Sequence, residues 1–181
     1  MVSVELKSCY SMSIYSESKN DRGFTLVELA TVSVIIGIIA ALAAPNVLGL
    51  LHRHRVNQSL STLVGAIKET QRQAMFRGIS CRINIGVNTN ILTGSPSTCL
   101  SNDRKIKEEI QIRTNIPGTT PNISFSHRGN TTKMGTIVLS NESTDLQKCF
   151  VIALGTGITR IGKYEGSSTG SVSATYCKKF N

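Results

Sequence analysis

From Phe24 to Ala44 the chain carries one charged side chain, Glu28, among residues that are otherwise apolar, small or hydroxylated. As a helix rising about 1.5 Å per residue, this run of twenty-one residues spans roughly 31 Å, close to the hydrocarbon thickness of a bilayer. A surface helix of a soluble domain keeps a polar face for water, and none is present here. The run reads as a single transmembrane helix, bounded at 24–51, and the rest of the chain must be arranged around that one anchor. A lone carboxylate inside such a span costs on the order of 2.5–3.5 kcal/mol to insert, so Glu28 needs a partner or a role. The cations in reach are Arg22 and, if the chain is cut after Gly23, a new α-amino group on Phe24. The plainer alternative places Glu28 near the interface, where it snorkels or is protonated.

Gly23-Phe24-Thr25-Leu26-Val27-Glu28, with basic Arg22 before it and an apolar helix after it, resembles the class III signal of type IV prepilins and pseudopilins. The resemblance implies cleavage after Gly23 by prepilin peptidase and N-methylation of the new N-terminal Phe24. It also implies that Glu28, the fifth residue of the mature chain, pairs with the N-terminal amine of a neighbouring subunit during assembly. Pro45 falls where many members of the family have a helix-kinking proline. Residues 1–23 are then a leader, too rich in serine (Ser3, Ser8, Ser11, Ser13, Ser16 and Ser18) for a secretory h-region. The orientation follows from the resemblance too, because Lys19 and Arg22 face Arg53 and Arg55 across the span and charge alone does not decide it.

Beyond the span, residues 52–181 are expected to form one globular domain outside the cytoplasmic membrane. Trp is absent and aromatics make up 5% of the chain, so its core must be aliphatic. The leader's charges cancel, and the whole net charge of +9 stays with the remainder. Such a balance favours anionic partners such as nucleic acid or lipid head groups, although solubility accounts for most surface charges. Leu60, Leu63, Val64, Ile67, Gln71, Ala74 and Met75 recur as one stripe of an amphipathic helix, which Gly78 stops. With the membrane span this predicts one helix from Phe24 to about Arg77, bent at Pro45, where a backbone donor is missing. Strands are expected at 81–87, in part over 106–112, at 123–125, 136–139, 149–154 and 158–164. Turn-rich stretches at 93–96, 117–122, 127–130 and 166–171 read as linkers.

One helix followed by a run of strands is α+β, a long N-terminal helix packed on an antiparallel sheet. Phe125-x-x-x-Gly129, two strands and then Gly157-x-x-Arg160 resemble the GspH/FimT group of minor pseudopilins, over about 120–165. Cys9 leaves with the leader, and Cys81, Cys99, Cys149 and Cys177 remain in a compartment where disulfides form. Four cysteines allow three connectivities; sequence-adjacent pairing would join Cys81 to Cys99 and Cys149 to Cys177. Zinc is a poor alternative, since C-x-x-C is absent and the histidines are His52, His54 and His127.

No catalytic pattern survives inspection. Gly166-Ser167-Ser168-Thr169-Gly170 matches G-x-S-x-G, but it lies in a Ser/Gly-rich loop without the strand–turn–helix that gives the pattern its meaning. Glu108 and Glu109 read as strand neighbours pointing to opposite faces, not as an acid–base pair. No cofactor or metal is expected, and no enzyme. His52-Arg53-His54-Arg55 reads as a basic collar touching lipid phosphates, or as a contact for an assembly partner. The function expected is a minor pilin or pseudopilin of a type IV pilus or type II secretion pseudopilus. Its partners would be prepilin peptidase, other subunits, the inner-membrane assembly platform and membrane lipid. The alternative is a FimT-like DNA receptor for transformation. The family's Gly-Arg-x-Arg stands here as Gly157-Ile158-Thr159-Arg160, its first arginine replaced. Arg160 and Lys163, with Lys178 and Lys179, are left as a basic edge, so DNA binding is expected to be weak and lost near physiological salt.

Overall fold

The computed structural model describes residues 23–179, apart from the side chains of residues 43–46. The leader and the kink at Pro45 therefore lie outside what is described. The chain divides into two compact units, Met1–Ala41 and Leu42–Asn181. A 52-residue helix, α1 (Leu26–Arg77), begins in the first and ends in the second. Every described residue of α1 before Ala43 is exposed, Leu26 at 86% and Leu42 at 73%. The hydroxyls in this stretch hide by back-bonding: Thr31 Oγ1 donates to the Glu28 carbonyl at 3.0 Å and Ser33 Oγ to that of Ala30 at 2.8 Å. Among the described residues no single helix is long and apolar enough to cross a membrane by itself, whereas Leu26–Leu42 and Val47–Arg77 taken together are.

In the second unit the helix buries one stripe, which is turned from the expected one. Val56, Leu60, Leu63, Ile67 and Ala74 are inside, as are the small residues Ser59, Ala66 and Thr70. Met75 is 45% exposed, and Val64 and Gln71 are half-buried on the flank. Burial favours the small side chains because they let the helix approach the strands closely. The cost of burying Thr70 is met locally, its hydroxyl donating to the Ala66 carbonyl at 2.9 Å. The helix stops where expected. Gly78 takes φ +66°, a conformation other residues rarely adopt, and Ile79 N–H reaches back to Ala74 O at 3.2 Å.

The strands follow in order: β1 (Cys81–Ile85), β2 (Ile91–Ser95), β3 (Arg104–Lys105), β4 (Gln111–Thr114), β5 (Asn122–Phe125), β6 (Gly135–Asn141), β7 (Thr144–Ile152), β8 (Thr159–Tyr164) and β9 (Cys177–Lys179). They form two antiparallel sheets, β3-β2-β1-β5 and β4-β6-β7-β8-β9. The chain visits the second sheet at β4, returns to the first for β5, and goes back for good at β6. Ile83, Ile85, Leu92, Ile123 and Phe125 of one sheet and Ile112, Ile137, Leu139, Phe150 and Ile152 of the other join the helix stripe in one core. Each such side chain contributes about 1.5–3 kcal/mol on burial. A smaller cluster of Val138, Cys149, Tyr164 and Cys177 lies apart from it.

Two expectations about strands are corrected. Thr93–Ser95, read as linker, belongs to β2 and pairs with β1. Residues 106–112 are not one strand: Ile106 is outside β3, and Glu108 and Glu109 sit in a turn before β4. Ile106 and Ile110 are buried all the same, at 1% each, which is the signal that suggested a strand.

Candidate functional site

The residues implied by the prepilin resemblance lie at the start of α1. Thr25 Oγ1 accepts the Glu28 backbone N–H at 3.2 Å, and Thr25 O accepts that of Leu29 at 3.1 Å. Thr25 is thus the helix cap, and Thr25-x-x-Glu28 has the spacing of a capping box, a signal the reading of the sequence passed over. A carboxylate in the first turn is favoured by the partial positive charge of the free amides there. The Glu28 side chain is exposed and belongs to none of the three ion pairs among the described residues. Phe24 is 78% exposed. What this end offers is therefore an exposed carboxylate and an apolar surface, both without a partner among the described residues.

At the other end of α1, the loosely spaced residues of the C-terminal resemblance meet. Gln71 Nε2 donates to Gly129 O at 2.9 Å. Thr131 and Gly155 exchange both backbone hydrogen bonds at 2.9 Å, which brings the turn at 126–130 against the β7–β8 hairpin. Gly157 closes the junction at φ +66°; a Cβ there would lie 2.9 Å from Gln71 Nε2 and 3.1 Å from Gly129 O. Phe125, Gly129 and Gly157 are thus one packed joint on the helix.

The disulfides join Cys81 to Cys99 and Cys149 to Cys177. The loop after Tyr164 is pinned by Arg113, whose Nη1 donates to Ser167 O and Gly170 O at 3.0 and 3.1 Å, while Nη2 donates to Gln147 Oε1 at 2.6 Å. The G-x-S-x-G stretch is held there through its carbonyls. Glu108 pairs with Lys105 at 2.7 Å and Glu109 with Arg55, so the two carboxylates serve different partners from a turn. Arg55 is therefore engaged within the chain, while Arg53 and His54 of the collar are exposed. Glu69 accepts from the Ser101 hydroxyl and amide at 2.6 and 2.9 Å and from Arg104 at 3.0 Å. These bonds, those of Ser101 foremost, hold its carboxyl below the usual range.

Arg160 and Lys163 do not form one edge. Arg160 stands opposite Val151, and Lys163 opposite Lys148 and Lys178, so the two lie on opposite faces of β8. Arg160 Nη2 donates to Ala174 O at 3.1 Å. The row Leu139, Lys148, Lys163, Lys178 runs from the buried core to the open. Burial first, and Lys163 second, lower the pKa of Lys148.

The start of α1 defines a class before it defines a family. Residues 18–44 match the prokaryotic N-terminal methylation motif. Two fimbrial proteins of Pseudomonas aeruginosa are each 30% identical over 136 residues, covering 72% of this chain and 86% of theirs. Among solved structures, the minor pseudopilin EpsH from the type 2 secretion system of Vibrio cholerae aligns at 17% identity, over 57% of this chain and 94% of that one, with a TM-score of 0.46. The chain belongs to the type IV pilin and pseudopilin superfamily. It is a membrane-anchored structural subunit of that type, a substrate for prepilin processing.

Proposed function

We propose that the chain is a minor subunit, cut between Gly23 and Phe24, N-methylated on Phe24, and drawn from the inner membrane into a type IV pilus or a type II secretion pseudopilus. Residues 24–51 span the membrane once and residues 52–181 lie in the periplasm. The observation that carries this reading is the capped helix start, where Glu28 is exposed and, among the described residues, unpaired and set among apolar residues that none of them covers. In the bilayer that carboxylate is costly; beside the Phe24 amine of an adjoining subunit it is neutralised. Gly37, Ala40 and Ala41 leave room for a second helix, and a Cβ on Gly37 would meet nothing within 4 Å. Arg53 and His54, both exposed, suit lipid phosphates until the subunit leaves the membrane. The joint at Gln71, Gly129 and Gly157 supports the GspH/FimT-like assignment. The DNA-receptor reading gains no support from Arg160 and Lys163, which face apart.

Two measurements test the proposal. Mass spectrometry of the mature protein should find an N-terminal methylated Phe24; a chain that keeps Met1, or begins elsewhere, refutes the assignment. Glu28→Ala should insert at least as well as the parent and enter sheared filaments or pseudopilus complexes at least tenfold less. Normal incorporation of that variant returns Glu28 to the role of an acid in the first helical turn, beside the Thr25 cap.

A further inference from the structure

The end of the second unit where α1 finishes combines cations with bare apolar side chains. Three segments meet there: the close of α1, the turn that follows β5, and the hairpin between β7 and β8. The Gln71–Gly129 bond, the hydrogen bonds exchanged by Thr131 and Gly155, and the Gly135–Ile152 pairing hold them to one another. Phe76, Ile158, Met134 and Leu154 are exposed there at 88%, 67%, 64% and 59%, the four highest values for large hydrophobics among the described residues of 52–181. Cations are interleaved with them. Arg77 follows Phe76, Lys133 precedes Met134, and Arg128 lies in the turn between β5 and β6. Arg77 and Arg128 are exposed and Lys133 is half-buried, and none of them belongs to the three ion pairs among the described residues. Residues 70–84, 122–135 and 149–160 contain no Asp or Glu, and Glu69, just before the first of these, is held by Ser101 and Arg104.

We propose that this end is a peripheral docking surface for a phospholipid bilayer with anionic headgroups. Phe76, Met134, Leu154 and Ile158 enter the acyl boundary, and Arg77, Arg128 and Lys133 meet the phosphates. The occupant follows from finding both kinds of side chain in one place. DNA would accept the cations, but its backbone offers nothing to exposed Met, Leu and Ile side chains, which have no ring to stack on a base. A protein interface gathers its apolar residues at the centre and is depleted in lysine, whereas here cation and apolar residue are sequence neighbours twice. A headgroup layer meets the two demands at different depths. Apolar groups lie about 5–10 Å into it, and the long stems of Arg and Lys leave their charges with the phosphates above. Anionic lipid is favoured because these segments carry no carboxylate of their own to repel it. The surface is built from residues outside 24–51 and goes beyond the subunit reading without resting on it.

The full-length chain is placed in nanodiscs of phosphatidylcholine, which occupy its apolar helix start. It is then floated on a density gradient with vesicles of phosphatidylcholine alone or of an equal mix with phosphatidylglycerol. Flotation with the mixed vesicles should exceed that with phosphatidylcholine at least tenfold. Arg128→Glu with Lys133→Glu should lower it at least tenfold, and so should Leu154→Ser with Ile158→Ser, where every charge is kept. An unchanged thermal midpoint in circular dichroism shows that these variants fold. Independently of them, a fluorophore on Ile158→Cys should be quenched by brominated acyl chains in the mixed vesicles, and one on Ser143→Cys, in the turn at the other end of β6, should not. Equal flotation with both vesicles, flotation that survives the charge reversals, or equal quenching at both labels overturns the proposal. So does a loss caused by the charge pair and not by the apolar pair, which marks plain attraction to phosphate; a gel shift of duplex DNA with that same dependence reassigns the surface to nucleic acid. Each of these failures leaves the subunit reading to its own tests at Phe24 and Glu28.

Discussion

A methyl group on Gly157 would meet the Gln71 amide and the Gly129 carbonyl at once, in a backbone conformation that disfavours any side chain. Gly157→Ala should therefore cost about 1–3 kcal/mol, read as a lowered midpoint in urea unfolding of the detergent-solubilised protein. An unchanged midpoint would mean that the joint is loose. Glu69 gives the clearest pH dependence. Its folded pKa lies below that of the unfolded chain because Ser101, and then Arg104, bind the carboxylate. The stability it contributes is fully present above the unfolded value, near 4.5, and is lost as pH falls through the folded one. Glu69→Gln should leave a flatter decline of stability below about pH 5 than the parent shows. Parallel acid limbs in the two proteins would assign the decline to other groups.

Among the elements, the open part of the five-stranded sheet is the most exposed to test. Lys163 stands between Lys148 and Lys178 on neighbouring strands, and like charges directly opposite are destabilising. Lys163→Thr should raise stability by about 0.2–1 kcal/mol and let the Lys148 pKa move back up, which a titration followed by NMR would read. The Cys149–Cys177 bridge closes a separation of 28 residues and ties β9 to β7. Replacing both cysteines by serine should cost about 2–4 kcal/mol and expose the β8 edge to hydrogen exchange. How far these elements were legible depended on how their residues earned their burial. β1 alternates apolar and polar side chains, β6 holds the apolar run Ile137–Leu139, and α1 ends at a glycine, so each announced itself. β2 did not: Thr93-Gly94-Ser95 before Pro96 has turn chemistry, and its place in the sheet is set by pairing with Asn84 and Ile83. The first half of β7, Thr144–Lys148, is polar and is recruited by β6 and β8. Ile106 and Ile110 misled in the other direction, since they are buried by a turn folded inward. Glu28, near the start of α1, stood out in the sequence as the one charge in an apolar run. The joint at Gln71 did not, because its bonds cross 58 residues of sequence.

At the scale of the whole molecule, one helix, α1, begins in the exposed apolar unit and ends in the unit built of two sheets. The order in which the chain visits its two sheets has a separate consequence, for how the domain comes to exist. β5 completes the first sheet only after β4 has been laid against the future β6, and β6 arrives after both. Each sheet is completed at one edge by a strand from across the other's sequence, β5 for the first and β4 for the second, so those edge contacts bridge distant parts of the chain. Such topologies fold slowly for their size. They also unfold as one: amides in β1 and in β7 should exchange with the same opening free energy, although they belong to different sheets. A subunit whose parts cannot come undone separately is well suited to a fibre under tension, where partial unravelling at one site would hand the load to its neighbours.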